Sequence, residues 1–209
     1  MRYGMVILSA GFSGLLSFCF LAVSVGTDYW YIIDVNKPNY TDSEQLSSYS
    51  GLWRINEGSQ QSSVIPTFTA NMSALSEVER HLLELHKAVV IVLPLGLVLL
   101  VFGWIFGLVG SLACSPKLLT GAACYFLVCS LLTLTGVSLY IQYSNKAMEE
   151  FRRIVAPAEL AYVKVSFGWS FAMAWISFGL ELAAGLLLLL AAKVTQMKGR
   201  YDCGGAVTL

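Results

Sequence analysis

The stretch Ser48-Tyr49-Ser50-Gly51-Leu52-Trp53-Arg54-Ile55-Asn56-Glu57-Gly58 lies in the only long polar segment of the chain, residues 31–87. Residues 51–56 read as a strand. Tyr29-Trp30-Tyr31-Ile32-Ile33, aromatic and β-branched, reads as another just before it. Residues 64–69 suggest a third, which Pro66 would confine to a sheet edge. None of the five cysteines (Cys19, Cys114, Cys124, Cys129 and Cys203) falls in this segment, so no disulfide can close it. Something other than a covalent bond must hold the loop.

Working outward, the flanks are apolar. Of 209 residues, 56% are hydrophobic and only 12% charged, too little charge to cover the surface of a soluble domain of this size. Four apolar stretches, residues 5–26, 88–113, 118–143 and 167–192, each reach the ~20 residues needed to cross hydrocarbon. Inside them the only acid or base is Glu181. Backbone groups in lipid must pair within their own segment, so four such spans imply a helical bundle. Met1-Arg2, an apolar run and Ser24-Val25-Gly26 also resemble a cleavable leader. That run exceeds the ~7–15 residues of a leader core, so it reads as a retained membrane helix. The formal net charge of zero gives no reason to expect nucleic acid as a partner.

Sidedness rests on two glycosylation sequons in the polar segment, Asn39-Tyr40-Thr41 and Asn71-Met72-Ser73. They place that segment outside and both termini in the cytosol. Lysine and arginine are spread evenly over the two sides and do not arbitrate. Tyr29, Trp30, Tyr31, Tyr140, Tyr143, Tyr162 and Trp169 crowd the outer boundary, where rings with a polar edge favour the headgroups. Ser76-Glu77-Val78-Glu79 fits a capping box, opening a helix that runs on into the second span. Pro94 within that span removes a backbone hydrogen bond and predicts a kink. The resulting order is an outer loop at 27–87, a tight turn at 114–117, a second outer segment at 144–166 and a polar tail at 193–209. Glu149-Glu150 and Arg152-Arg153 suggest a helical extension of span three.

Trp30 followed by Gly51-Leu52-Trp53 resembles the first part of the W…G-L-W…C…C pattern of the claudin superfamily. The layout of spans and loops is similar too. Residues 26–33, 50–54 and Val165-Ser166-Phe167-Gly168-Trp169-Ser170 look more like the branch near the voltage-gated calcium channel gamma subunits than like barrier-forming claudins. The resemblance implies one α+β membrane domain: a left-handed four-helix transmembrane bundle carrying a small extracellular antiparallel β-sheet from the first loop. It implies that Trp30 and Trp53 anchor that sheet against the outer ends of the helices; of the two roles open to the rings, partner-binding anchors or burial in the loop's own core, burial is the expected one. The departure is the cysteine pair, with Asn56 in the first position and Ser62 or a near neighbour in the second. Such a bond contributes about 2–4 kcal/mol by restricting the unfolded loop, and its absence weakens the case for a rigid junctional surface.

Other candidate sites are sparse. Glu181, at a depth where charge costs about 2.5–3.5 kcal/mol, reads as a protonated acid bonded to a neighbouring helix through Ser13, Ser17, Thr133 or Thr135. His81 and His86, about 140° apart on a helix, read as a solvated surface rather than a metal site. Gly103 and Gly107 form a GxxxG suited to packing within the bundle. Cys114 and Cys203 are palmitoylation candidates near the cytosolic boundary. Val207 and Leu209 fit a PDZ ligand. No catalytic grouping appears, and no cofactor, metal or small-molecule substrate is expected. The sequence therefore points to a non-enzymatic plasma-membrane protein, embedded in lipid, that binds another membrane protein laterally. The alternative is a component of cell–cell adhesion.

Overall fold

The computed structural model describes residues 3–35, 47–57, 61–68, 76–154 and 162–205. Four helices dominate: α1 (Tyr3–Gly26), α2 (Glu77–Leu112), α3 (Pro116–Ile154) and α4 (Trp169–Gly205). All four are long and apolar enough to cross a membrane. Five strands form one antiparallel sheet: β1 (Tyr31–Val35), β2 (Ser48–Ser50), β3 (Arg54–Glu57), β4 (Gln61–Val64) and β5 (Val163–Phe167), in the order β4-β3-β2-β1-β5. The expected class, membrane helices with a small antiparallel sheet, is the observed one.

Several local readings need correcting. Residues 51–56 are not one strand. Gly51-Leu52-Trp53 is the turn of a tight hairpin, closed where the Gly51 amide donates to the Arg54 carbonyl at 2.9 Å, with Ser50 paired to Ile55. The strand expected at 64–69 ends at Val64 and begins at Gln61. The sheet is not made from the first loop alone, because β5 pairs with β1 along its whole length, from Tyr31↔Phe167 to Val35↔Val163. Span four becomes helical at Trp169, and its helix continues to Gly205, through much of the segment expected as a polar tail. Span three does extend as a helix, to Ile154. The capping box forms in both directions: the Ser76 amide donates to Glu79 Oε2 at 2.9 Å, and the Glu79 amide to Ser76 Oγ at 3.4 Å.

The chain divides into two compact units. One contains Met1–Leu21, Leu95–Thr133 and Ile176–Leu209; the other contains Ala22–Pro94 and Leu134–Trp175. The first is a purely helical unit whose interior mixes small side chains, among them Ala10, Ser17, Ala122, Ala123, Ser130 and Ala184, with a few large ones, Leu21, Leu100, Leu119 and Phe126. Larger apolar residues such as Leu8, Phe12, Phe106 and Leu131 point outward. Lipid gives no hydrophobic reason to bury them, so close backbone approach decides what lies inside. The second unit holds the sheet, and its core contains large groups: Trp30, Leu52, His86, Leu93 and Tyr140.

Candidate functional site

Two constellations stand out, one in each unit. In the sheet-bearing unit, the end of α1 sets the geometry. A helix leaves its last four carbonyls without partners, here those of Val23 to Gly26. Three of them are satisfied by side chains that follow. Thr27 Oγ1 donates to the Val23 carbonyl at 2.6 Å, Trp30 Nε1 to that of Ser24 at 2.7 Å, and Trp53 Nε1 to that of Val25 at 2.9 Å. The two tryptophans of the motif are thus indole caps on successive carbonyls of one helix. This accounts for their separation in sequence, since one lies at the exit of α1 and the other in the β2–β3 turn.

The two indoles differ in burial. Trp30 is fully buried, with its ring 4.7 Å from that of Tyr140 and 6.0 Å from that of Phe171. Trp53 keeps 40% of its surface exposed, so its expected burial is only partial, but it does anchor the turn to the end of α1 through its indole, and its carbonyl accepts from the Ile65 amide at 3.0 Å. Leu52, beside it, is buried completely.

Backbone bonds then lock the segment between α1 and β1. The Trp30 amide donates to the Ser50 carbonyl at 3.1 Å, the Gly168 amide to the Trp30 carbonyl at 3.0 Å, and the Ser170 amide to the Tyr29 carbonyl at 3.2 Å. Such close passage requires glycine on both sides. A Cβ on Gly51 would lie 2.5 Å from Asp28 Cα, and one on Gly168 would collide with the Tyr29 carbonyl. Tyr29 stacks on Tyr49 at 4.8 Å and on Trp169 at 5.7 Å. Tyr31 bonds Ser144 of α3. Burial raises its hydroxyl above the usual tyrosine range, against the opposing effects of that bond and of Arg152. On the far side of the sheet, Asn56 stands directly opposite Ser62 in the β3–β4 register. The positions matched to the cysteine pattern are therefore cross-strand neighbours.

His86 departs from its expected place on a solvated surface. It is 1% exposed, with Nδ1 3.0 Å from Thr67 Oγ1 and its ring 5.2 Å from that of Tyr143. His81 remains exposed.

In the other unit, Glu181 is fully buried among hydroxyls from three helices. Thr133 Oγ1 of α3 lies 3.0 Å from both carboxyl oxygens. Ser177 and Ser17 approach Oε1 at 3.2 and 3.3 Å, and each other at 3.0 Å. Ser17 and Thr133 are partners legible in the sequence. Ser13 instead donates to the Leu180 carbonyl at 2.9 Å. Ser177 went unnoticed although it sits one helical turn before Glu181, where i, i+4 side chains meet. Gly103 packs its bare face on Tyr125 of α3, while Gly107 faces Phe126 and Leu188, so the GxxxG serves helix contacts within this unit. Cys114 is exposed in the α2–α3 turn, in a left-handed conformation with φ 47°. Asn39, Asn71, Val207, Leu209 and the side chain of Cys203 lie outside the described residues.

Comparison with known proteins fits this architecture. The family model described as PMP-22/EMP/MP20/Claudin tight junction matches residues 15–190. The voltage-dependent calcium channel gamma-5 subunits of Mus musculus and Homo sapiens are each 28% identical over 198 residues, covering 89% of this chain and 69% of the relative.

Proposed function

The chain belongs to the PMP-22/EMP/MP20/claudin family, and from that premise we propose that it is a non-enzymatic plasma-membrane protein that associates laterally with another membrane protein, as an auxiliary subunit. The observation that carries this reading is the similarity, over 89% of the chain, to proteins named as subunits of a voltage-dependent calcium channel rather than as enzymes. The Asn56–Ser62 pair in the β3–β4 hairpin supports it: a sheet without a covalent staple there suits docking on a partner better than a rigid barrier does. In this reading the spans are residues 5–26, 88–113, 118–143 and 167–192, and both termini face the cytosol. Asn39 and Asn71 carry glycans outside. Cys114 and Cys203 accept palmitate, and Val207 with Leu209 enters a PDZ groove. No cofactor, nucleic acid or small-molecule substrate takes part.

Co-purification from native membranes in gentle detergent tests the reading. It should return one dominant channel, receptor or adhesion protein, whereas recovery as a free monomer would overturn it. The second reading, adhesion between cells, draws on the tight-junction description of the matching family model. Imaging in cells that lack junctions separates the two, because enrichment at contacts without a partner favours adhesion. Glycosidase treatment should shift the mass by up to two glycans, and Asn39→Gln with Asn71→Gln should abolish the shift; an unshifted wild type would leave this orientation resting on the family resemblance alone.

A further inference from the structure

His86 lies where four pieces of the sheet-bearing unit meet. It projects from α2, five residues beyond the exposed His81, and is 1% exposed. Thr67, from the segment after β4, meets Nδ1 at 3.0 Å. The Leu52 backbone, in the Gly51-Leu52-Trp53 turn, lies within hydrogen-bonding reach of the ring; that contact favours the protonated form, while burial, the larger effect, disfavours it. Tyr143 of α3 packs its ring at 5.2 Å and in turn contacts Tyr140 at 6.0 Å. Nε2 is buried, and among the described residues no side chain or backbone group meets it at full hydrogen-bond geometry.

Among the described residues, the groups facing this imidazole are therefore one hydroxyl, one stretch of backbone and the Tyr143 ring. The ion pairs formed by the described residues, Arg80 with Glu84 and Arg153 with Glu149 and Glu150, do not include it. A neutral ring fits such a place, whereas an imidazolium would bring a full charge into a buried site that offers it only the Thr67 hydroxyl and the Leu52 backbone and no carboxylate among the described groups. We propose that His86 is an acid-sensitive latch that fastens the Gly51-Leu52-Trp53 turn and the 65–68 segment to α2 and α3, and that acidification releases it.

The direction follows from proton counting. When the site opens, water reaches the ring, which then titrates near the ordinary histidine value of about 6.5. The open state binds more protons than the closed one as pH falls below that value, so closure is complete above it and is lost progressively below it. With one proton taken up, the open fraction rises by up to about tenfold between pH 7.5 and 5.5.

Hydrogen exchange on the full chain in lipid nanodiscs tests this, with rates corrected for intrinsic amide chemistry. Residues 47–57 and 61–68 should exchange about tenfold faster at pH 5.5 than at 7.5, while amides of the Glu181 unit stay unchanged. His86→Phe keeps a ring against Tyr143 and should remove the pH dependence, and His81→Gln should leave it intact. Thr67→Val should raise opening at pH 7.5 while keeping the acid response, which provides a test if His86→Phe does not fold. Equal exchange at both pH values in the wild type, or an acid response that survives His86→Phe, would overturn the proposal.

Discussion

In the sheet-bearing unit, polar order comes from large rings and backbone carbonyls; in the helical unit, it comes from hydroxyls gathered round one carboxyl. Trp30 and Trp53 each bind a helix carbonyl through a single indole N–H, so position depends on where two rings lie. Glu181 is held by three hydroxyls from α1, α3 and α4, and no one of them is decisive. The first arrangement is a chain of fits that fails at its tightest point. The second is a shared network in which the carboxyl is the hub.

Substitutions should separate the two kinds of order. The largest effect is expected from Gly168→Ala: no neighbouring backbone can yield to the new Cβ, so folding should lose about 4 kcal/mol or more, seen as loss of the thermal transition reported by the sheet. Survival of the sheet would show the clamp to be looser than its contacts imply. Trp30→Ala, removing a buried indole, should cost about 3–5 kcal/mol, while Trp53→Ala, losing mainly one hydrogen bond, should cost about 1 kcal/mol. Equal costs in chemical unfolding would erase the distinction between core ring and surface cap.

For the helical unit, Glu181→Ala should cost about 2–3 kcal/mol, through lost packing and hydroxyls left without their acceptor. Glu181→Gln still offers a carbonyl and donors and should lie within about 1 kcal/mol of wild type in the same assay. If the two variants behave alike, the hub description fails. One effect is a gain. Asn56→Cys with Ser62→Cys, opposite each other in the register, should form a bond under mild oxidation and add about 2 kcal/mol, reversed by reductant. The same staple should weaken partner recovery if an adaptable hairpin matters for docking.

The two units also differ in how far they could be read beforehand. The spans were legible because lipid demands long apolar runs, and Ser76-Glu77-Val78-Glu79 because a capping box is local. Glu181 was conspicuous as the only acid or base in any apolar stretch. The sheet was harder, since its β1–β5 ladder joins residues 128 (Val35 to Val163) to 136 (Tyr31 to Phe167) positions apart. Val163-Lys164-Val165-Ser166-Phe167 carries strand character, but proximity to span four hid it. Gly51-Leu52-Trp53 looked like strand because its residues are apolar, yet they are apolar to fill a turn packed on α1. His86 was misplaced because helical spacing gives the angle between two histidines and says nothing about which loop will cover one of them.

The length of α4 has a mechanical meaning. Its 37 residues make a rod of about 55 Å, against a hydrocarbon layer of about 30 Å. Past residue 192 the helix carries on to Gly205, a further reach of about 20 Å. On the proposed orientation, a cytosolic protein docked beyond that point would be held on a stiff spar rather than a slack tether. Any rotation or tilt of span four would swing it through an arc, so a tail-bound scaffold would report the posture of the membrane helix as well as its presence.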